Sequence, residues 1–180
     1  MEMEANKSTT VTCTVVAIDH SNLSYKACSL CEATLPDTPN SACRFCNNSS
    51  SSSVSSSSFK RLFRLLLSIA TDTKVINVIC FDRAARVLFG CSADDFFHFA
   101  KFHPFAAENA GTILEGEMLK MTLSKPKNGN AQHLRAVSVL PLRTGYQPVI
   151  ESLRELYRMK DTVKDLTSRR ILECFRCTRS

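Results

Sequence analysis

Four cysteines carry the sharpest chemical signal in the sequence. Cys28 with Cys31 and Cys43 with Cys46 form two Cys-x-x-Cys pairs separated by 11 residues. A two-residue gap lets both thiolates of one tight turn reach a single ion. Two such turns complete a tetrahedron with Zn–S bonds of about 2.3 Å. Four thiolates leave no coordination position for water, so the expected chemistry is structural: one Zn2+ that braces a knuckled loop. The surrounding segment, Tyr25 to Cys46, is dense in Cys, Pro and Ser and poor in apolar residues, so a metal is what would fold it. The competing readings are coincidence among nine cysteines, or a redox pair; a redox motif explains one pair and leaves the other idle. Cys13 and Cys80 fall in strand-like apolar runs and read as core, and Cys91 lies in a turn. The third pair, Cys174 and Cys177, has no second pair beside it.

No catalytic constellation accompanies these cysteines. His20, His98, His103 and His133 are scattered, and no Gly-rich phosphate loop or nucleophile elbow is present. The His-x-Glu of zinc deaminases is absent. The expectation is a binding protein, not an enzyme, without a small-molecule substrate. The apolar run Leu62–Leu67 is short and broken by Arg64, far from the roughly 20 apolar residues of a membrane span, so no membrane partner is expected. The acidic start, Met1-Glu2-Met3-Glu4, is not followed by the apolar stretch of a secretion signal. An intracellular setting, where thiols stay reduced, agrees with metal rather than disulfides.

The net charge of +6 is unevenly spread over 180 residues. Residues 1–58 carry −2 (three basic, five acidic), residues 59–146 carry +5 (twelve and seven), and residues 147–180 carry +3 (eight and five). A basic body suits a polyanion, although solubility alone explains a charge this modest.

The elements that would position these groups can be read in order. Thr10–Asp19 is rich in Val, Thr and Ile and predicts a strand. The Cys segment follows as an insertion over residues 25–46, and the Ser tract 47–58 reads as a flexible loop. Phe59–Ala70 admits a basic amphipathic helix or a strand. The β-branched run Lys74–Phe81 just beyond a Thr71-Asp72-Thr73 turn makes a hairpin the economical choice. Asp82–Phe89 predicts a helix capped by Asp82 and stopped by Gly90; Ser92 opens a second one. Ile113–Leu123 and Leu134–Leu142 read as strands joined by an Asn128-Gly129 turn. Five strands with a helix between the third and fourth match the OB-fold, a five-stranded Greek-key barrel. The predicted architecture is therefore mainly β: a leader over 1–9, an OB domain over 10–146 with the zinc ribbon inserted, and a helical tail over 147–180. On that tail Val149, Leu153, Leu156, Val163 and Leu166 form an apolar stripe. The stripe fits either a protein partner or the chain's own barrel.

The ribbon cysteines, the Phe63–Ala70 strand and the run from Val75 through Phe81-Asp82 and Gly90-Cys91-Ser92-Ala93-Asp94 together resemble one known family. It is the C-terminal DNA-binding domain of the large subunit of replication protein A, the single-stranded-DNA-binding factor. The likeness covers roughly residues 10–142. Two departures are the lack of a Gly after Asp72-Thr73 and the absence of Trp. The resemblance implies a zinc ribbon between the first two barrel strands and single-stranded DNA, or RNA, as ligand. It also implies a nuclear role in DNA replication, repair or recombination, and assembly with other OB-fold subunits through the final helix. A single-strand groove needs cations for phosphates and aromatic faces for bases. The candidates are Lys60, Arg61, Phe63, Arg64, Lys74, Lys125 and Lys127, with Phe59 and Tyr25 as further aromatics; Phe81, Phe89, Phe96, Phe97 and Phe99 read as core. The alternative is an OB scaffold with little DNA affinity that holds a protein through Val149, Leu153, Leu156, Val163 and Leu166.

Overall fold

A computed structural model describes residues 8–38, 43–46, 59–126 and 132–160. Most of the leader, the Ser tract, the Asn128-Gly129 turn, Lys127, Val163, Leu166, Cys174 and Cys177 lie outside the described residues. Six strands form: β1 (Thr9–Ile18), β2 (Ser24–Cys28), β3 (Phe59–Ala70), β4 (Val75–Phe81), β5 (Met118–Ser124) and β6 (Leu134–Pro141). Between β4 and β5 lie the helices α1 (Asp82–Phe89), α2 (Ala93–Phe102) and α3 (Ala106–Leu114). A last helix, α4, covers residues 149–160 to the end of the described chain. No described helix is long and apolar enough to cross a membrane.

The sheet runs β1-β5-β6-β4-β3-β2, and a further pairing of β1 with β3 closes five of these strands into a barrel. All barrel pairings are antiparallel except β4 with β6. This is the topology expected of the OB-fold. The inward residues are those the strand alternation selects. Val15, Leu65, Leu67, Ile69, Val78, Cys80, Leu119 and Met121 are fully or almost fully buried. Phe63, Phe89 and Phe96 close one end of this core, with ring centroids 4.6 Å apart for Phe63–Phe89 and 5.0 Å for Phe89–Phe96.

Two readings of the sequence need correction. The apolar run Ile113–Leu123 is not one strand: its start belongs to α3, and β5 begins at Met118. Helix α3 packs on β1 because Gly111 has no Cβ, which would stand 2.8 Å from Ile18 Cγ2. Asp82 starts α1 but does not cap it. Phe81 is the N-cap residue, without a side-chain bond, while Gly90 stops the helix at φ 71 and Ser92 caps α2 as expected.

The Asp82 carboxylate instead accepts the Phe63 N–H at 3.1 Å and pairs with Arg86 at 2.8 Å. Asp94 accepts the Arg61 N–H at 3.1 Å. The pairing of β3 with β4 stops at Arg64–Phe81, so the Arg61 and Phe63 N–H groups have no strand to bond on the edge away from β2. The two carboxylates take its place and fix the arm that carries the ribbon. Asp82→Ala is expected to cost about 1–2 kcal/mol through the lost bond and ion pair. Thermal unfolding should then fall by roughly 2–8 °C for a chain of this size.

Candidate metal centre and nucleic-acid face

Strand β2 continues the barrel sheet into the insertion by pairing with β3, from Ser24–Phe63 to Cys28–Phe59. The chain then turns back at once. The Cys28 N–H donates to the Ala33 carbonyl at 2.9 Å, the Glu32 N–H to the Cys28 carbonyl at 3.0 Å, and Glu32 takes φ 58 to close the turn. The second knuckle folds against this one. All four sulfurs of Cys28, Cys31, Cys43 and Cys46 lie within 4.8 Å of one another. Cys31 and Cys43 are 3.4 Å apart and Cys28 and Cys46 3.7 Å, too far for disulfides and close to the roughly 3.8 Å edge of a tetrahedron with 2.3 Å bonds.

The electrostatics of the cluster fit a cation. Backbone N–H groups of Cys31 and Leu30 aim at the Cys28 sulfur and pull its thiol down to about 6. The Cys31 and then the Cys28 sulfur push Cys46 up to about 12. Four sulfurs this close cannot all ionise unless a positive charge sits among them. Among the described residues, Leu35 and Ala33 supply their apolar cover, in a cluster separate from the barrel core. Two ion pairs, each between a half-buried lysine and an exposed carboxylate, tie the ribbon to its strands, Lys60–Glu32 at 2.6 Å and Lys26–Asp37 at 2.8 Å.

The outer face of β3, β4 and β6 presents a different chemistry. Leu65 pairs with Cys80 toward the core, so Arg64 opposite Phe81 and Leu66 opposite Ile79 point outward. Arg135 lies beside Ile79 in the parallel ladder, and its guanidinium stands 4.7 Å over the Phe81 ring. Arg64 and Arg135 are exposed, and neither makes an ion pair among the described residues. Tyr25 borders the patch. Burial pushes its phenol up, Asp82 and Glu32 add to this, and Arg135 and Lys60 oppose it.

No family model and no curated protein matches the sequence. Solved structures do match. A chain of a replication protein A heterotrimer bound to single-stranded DNA superposes with a TM-score of 0.61 at 19% identity, over 86% of this chain and 36% of that one. The fold is that of a replication protein A domain. Yeast replication protein A bound to single-stranded DNA gives a TM-score of 0.60 at 14% identity, over 91% of this chain and 88% of that one. The chain thus spans about a third of the length of the first of these.

Within this replication protein A-like barrel the expected site residues separate. Phe63 is fully buried among Phe89 and Phe96, so it offers no face to a base. Arg61 shares Phe63's side of β3 and stacks on Phe97 of α2 at 3.7 Å, away from Arg64. Lys60 is engaged by Glu32. Lys74 and Lys125 meet at the open mouth of the barrel, around a cavity of about 290 Å³ floored by Val11, Ile76, Leu123 and Leu134. That mouth is about 20 Å along β3 from Arg64, at 3.3 Å per residue. Val149 and Leu153 are fully buried against their own barrel, and Leu156 is half-buried. This part of the stripe docks within the chain and is not free for a partner. Phe81 and Arg135, which join Arg64 on the outer face, were not among the expected groove residues. The alternation of Val78 and Cys80 already turns Phe81 outward; the Arg135 contact depends on the parallel β4–β6 pairing, which no local pattern reveals.

Proposed function

We propose that this protein binds single-stranded DNA across the outer face of β3, β4 and β6, and that one zinc ion on Cys28, Cys31, Cys43 and Cys46 braces the arm beside that face. The observation that carries the reading is the grouping of Arg64, Phe81 and Arg135. It sets two unpaired cations about an aromatic ring, on the strands where OB-folds bind oligonucleotides. The ring supplies a stacking face that every base can use, so binding is tolerant of sequence. The solved structures of like fold were bound to single-stranded DNA, which supports the same ligand here. The work this fits is handling of single-stranded DNA in nuclear replication, repair or recombination. A scaffold role through the α4 stripe has less support, because Val149 and Leu153 are already used in the core.

Fluorescence anisotropy with a labelled oligonucleotide of about 8 bases, within the span of one OB-fold, tests the proposal. Phe81→Ala is expected to cost about 1–3 kcal/mol, one lost stack. Engaging two or three phosphates should give a log–log salt slope of about −1.4 to −2.1. Arg64→Glu with Arg135→Glu should abolish binding while the zinc content is kept. Binding that is undetectable at low salt, or indifferent to the double reversal, refutes the reading. An RNA oligonucleotide of the same sequence measures the preference between the two.

A further inference from the structure

A second cationic and aromatic surface lies on the opposite side of the β2–β3 arm. Arg61 belongs to the inward set of β3, so it emerges on the side of α2. Its guanidinium stacks on one face of Phe97 at 3.7 Å, and Lys101, one turn further along α2, holds its ammonium 4.8 Å from the same ring. Neither cation makes an ion pair among the described residues. Asp94 is close, but its carboxylate faces the Arg61 backbone N–H. Phe97 remains 37% exposed despite its two cations.

The surface continues toward the ribbon. Lys26 pairs with Arg61 in the sheet and lies 5.2 Å over Phe59, which is 46% exposed. Phe59 stands opposite Cys28, whose sulfur meets that of Cys46, and next to Cys46 the Phe45 ring is 76% exposed. Aromatic rings thus alternate with cations from α2 across the arm to the second knuckle. Rings exposed to this degree contribute little to the core. Lys26 is held by Asp37 at 2.8 Å, but Arg61 and Lys101 make no ion pair among the described residues. Rings interleaved with such cations match the pattern by which proteins stack successive bases while following a phosphate backbone. An acidic peptide would satisfy the cations but would leave three ring faces without flat partners.

We propose that the Arg61–Phe97–Lys101 surface, continued by Phe59, is a second contact for single-stranded nucleic acid, reached by a strand long enough to leave the barrel face. This rests on the binding proposed for Arg64, Phe81 and Arg135, and adds a length-dependent site to it. The test compares an oligonucleotide of about 8 bases with one of about 30, roughly twice the largest single-barrel site. Phe97→Ala should weaken the long oligonucleotide about tenfold, the effect of one lost stack, and leave the short one within about twofold. Lys101→Glu, on an exposed position that folding tolerates, should weaken the long one about fivefold and make its salt slope shallower by about 0.7. The inference is overturned if Lys101→Glu and a folded, zinc-loaded Phe97→Ala protein bind the long strand as the parent does, or if short and long strands weaken alike. The parent failing to bind the short oligonucleotide refutes the barrel-face reading. Long-strand binding that survives Arg64→Glu with Arg135→Glu, and then falls on Lys101→Glu, supports the second surface alone.

Discussion

Removing the metal with a strong chelator, or replacing Cys43 with Ser, is expected to unfold the ribbon while the barrel stays folded. The two parts have separate apolar clusters. The barrel core is built on Phe63, Leu65, Leu67, Val78, Leu88 and Phe89; the ribbon has Leu35 and Ala33 beside its cysteines. So small a cluster cannot offset the entropy of ordering some twenty residues, at about 1–2 kcal/mol each. Zinc on four thiolates contributes about 10–16 kcal/mol at neutral pH, enough to decide whether the ribbon folds. Acid should act in the same direction, since protons compete with the metal for the sulfurs. Elemental analysis should find one zinc per chain and none in Cys28→Ser with Cys43→Ser. Amide exchange should then be fast across residues 24–35 and slow in β4 and β5. A metal-free protein whose ribbon stays protected would show that the cysteines do not need an ion.

How far the sequence revealed this depended on the range of each interaction. The four sulfurs converge because two-residue gaps and tight turns are local, so spacing alone pointed to them. The Gly90 stop and the Ser92 cap are local as well. Phe59–Ala70 was harder, because Leu62 and Leu66 place apolar residues on its outward side and blur the alternation. Phe63 could therefore be read as exposed when it is core. Asp82 looked like a cap, yet its carboxylate serves a strand N–H nineteen positions earlier. Ile113–Leu123 hid a boundary, because the apolar end of α3 runs almost directly into β5, with only Glu115, Gly116 and Glu117 between them. Gly116 at φ 82 marks the break. The nucleic-acid face was the least legible part. Its residues come from three strands, and Arg135 reaches Phe81 only through the parallel pairing of β4 with β6.

The tail helix separates a packing role from a partner role through two neighbouring leucines. Leu153→Asp is expected to destabilise the protein severely, and Leu156→Asp only slightly. Helix α4 starts where Pro148 packs on Gly90, a contact so close that a Cβ on Gly90 would stand 2.4 Å from the proline Cβ. Just before it, the Tyr146 hydroxyl donates to the Leu88 carbonyl at 2.8 Å, and Arg143 pairs with Glu117 at 2.6 Å. Further along, the Tyr157 hydroxyl donates to the Pro104 carbonyl and accepts from Asn109 at 3.0 Å. The helix is thus fastened at both ends, and Val149, Ile150 and Leu153 fill the core between. Truncating a buried Leu costs about 2–5 kcal/mol, and a carboxylate in its place adds a desolvation cost. At about 2–4 °C per kcal/mol, the melting temperature should fall by roughly 10 °C or more. Leu156 is half-buried, so its carboxylate keeps contact with water and the shift should be a few degrees at most. Differential scanning calorimetry of the two variants decides the matter. Equal, small shifts would mean that α4 is not docked in solution and that its stripe is open to another protein.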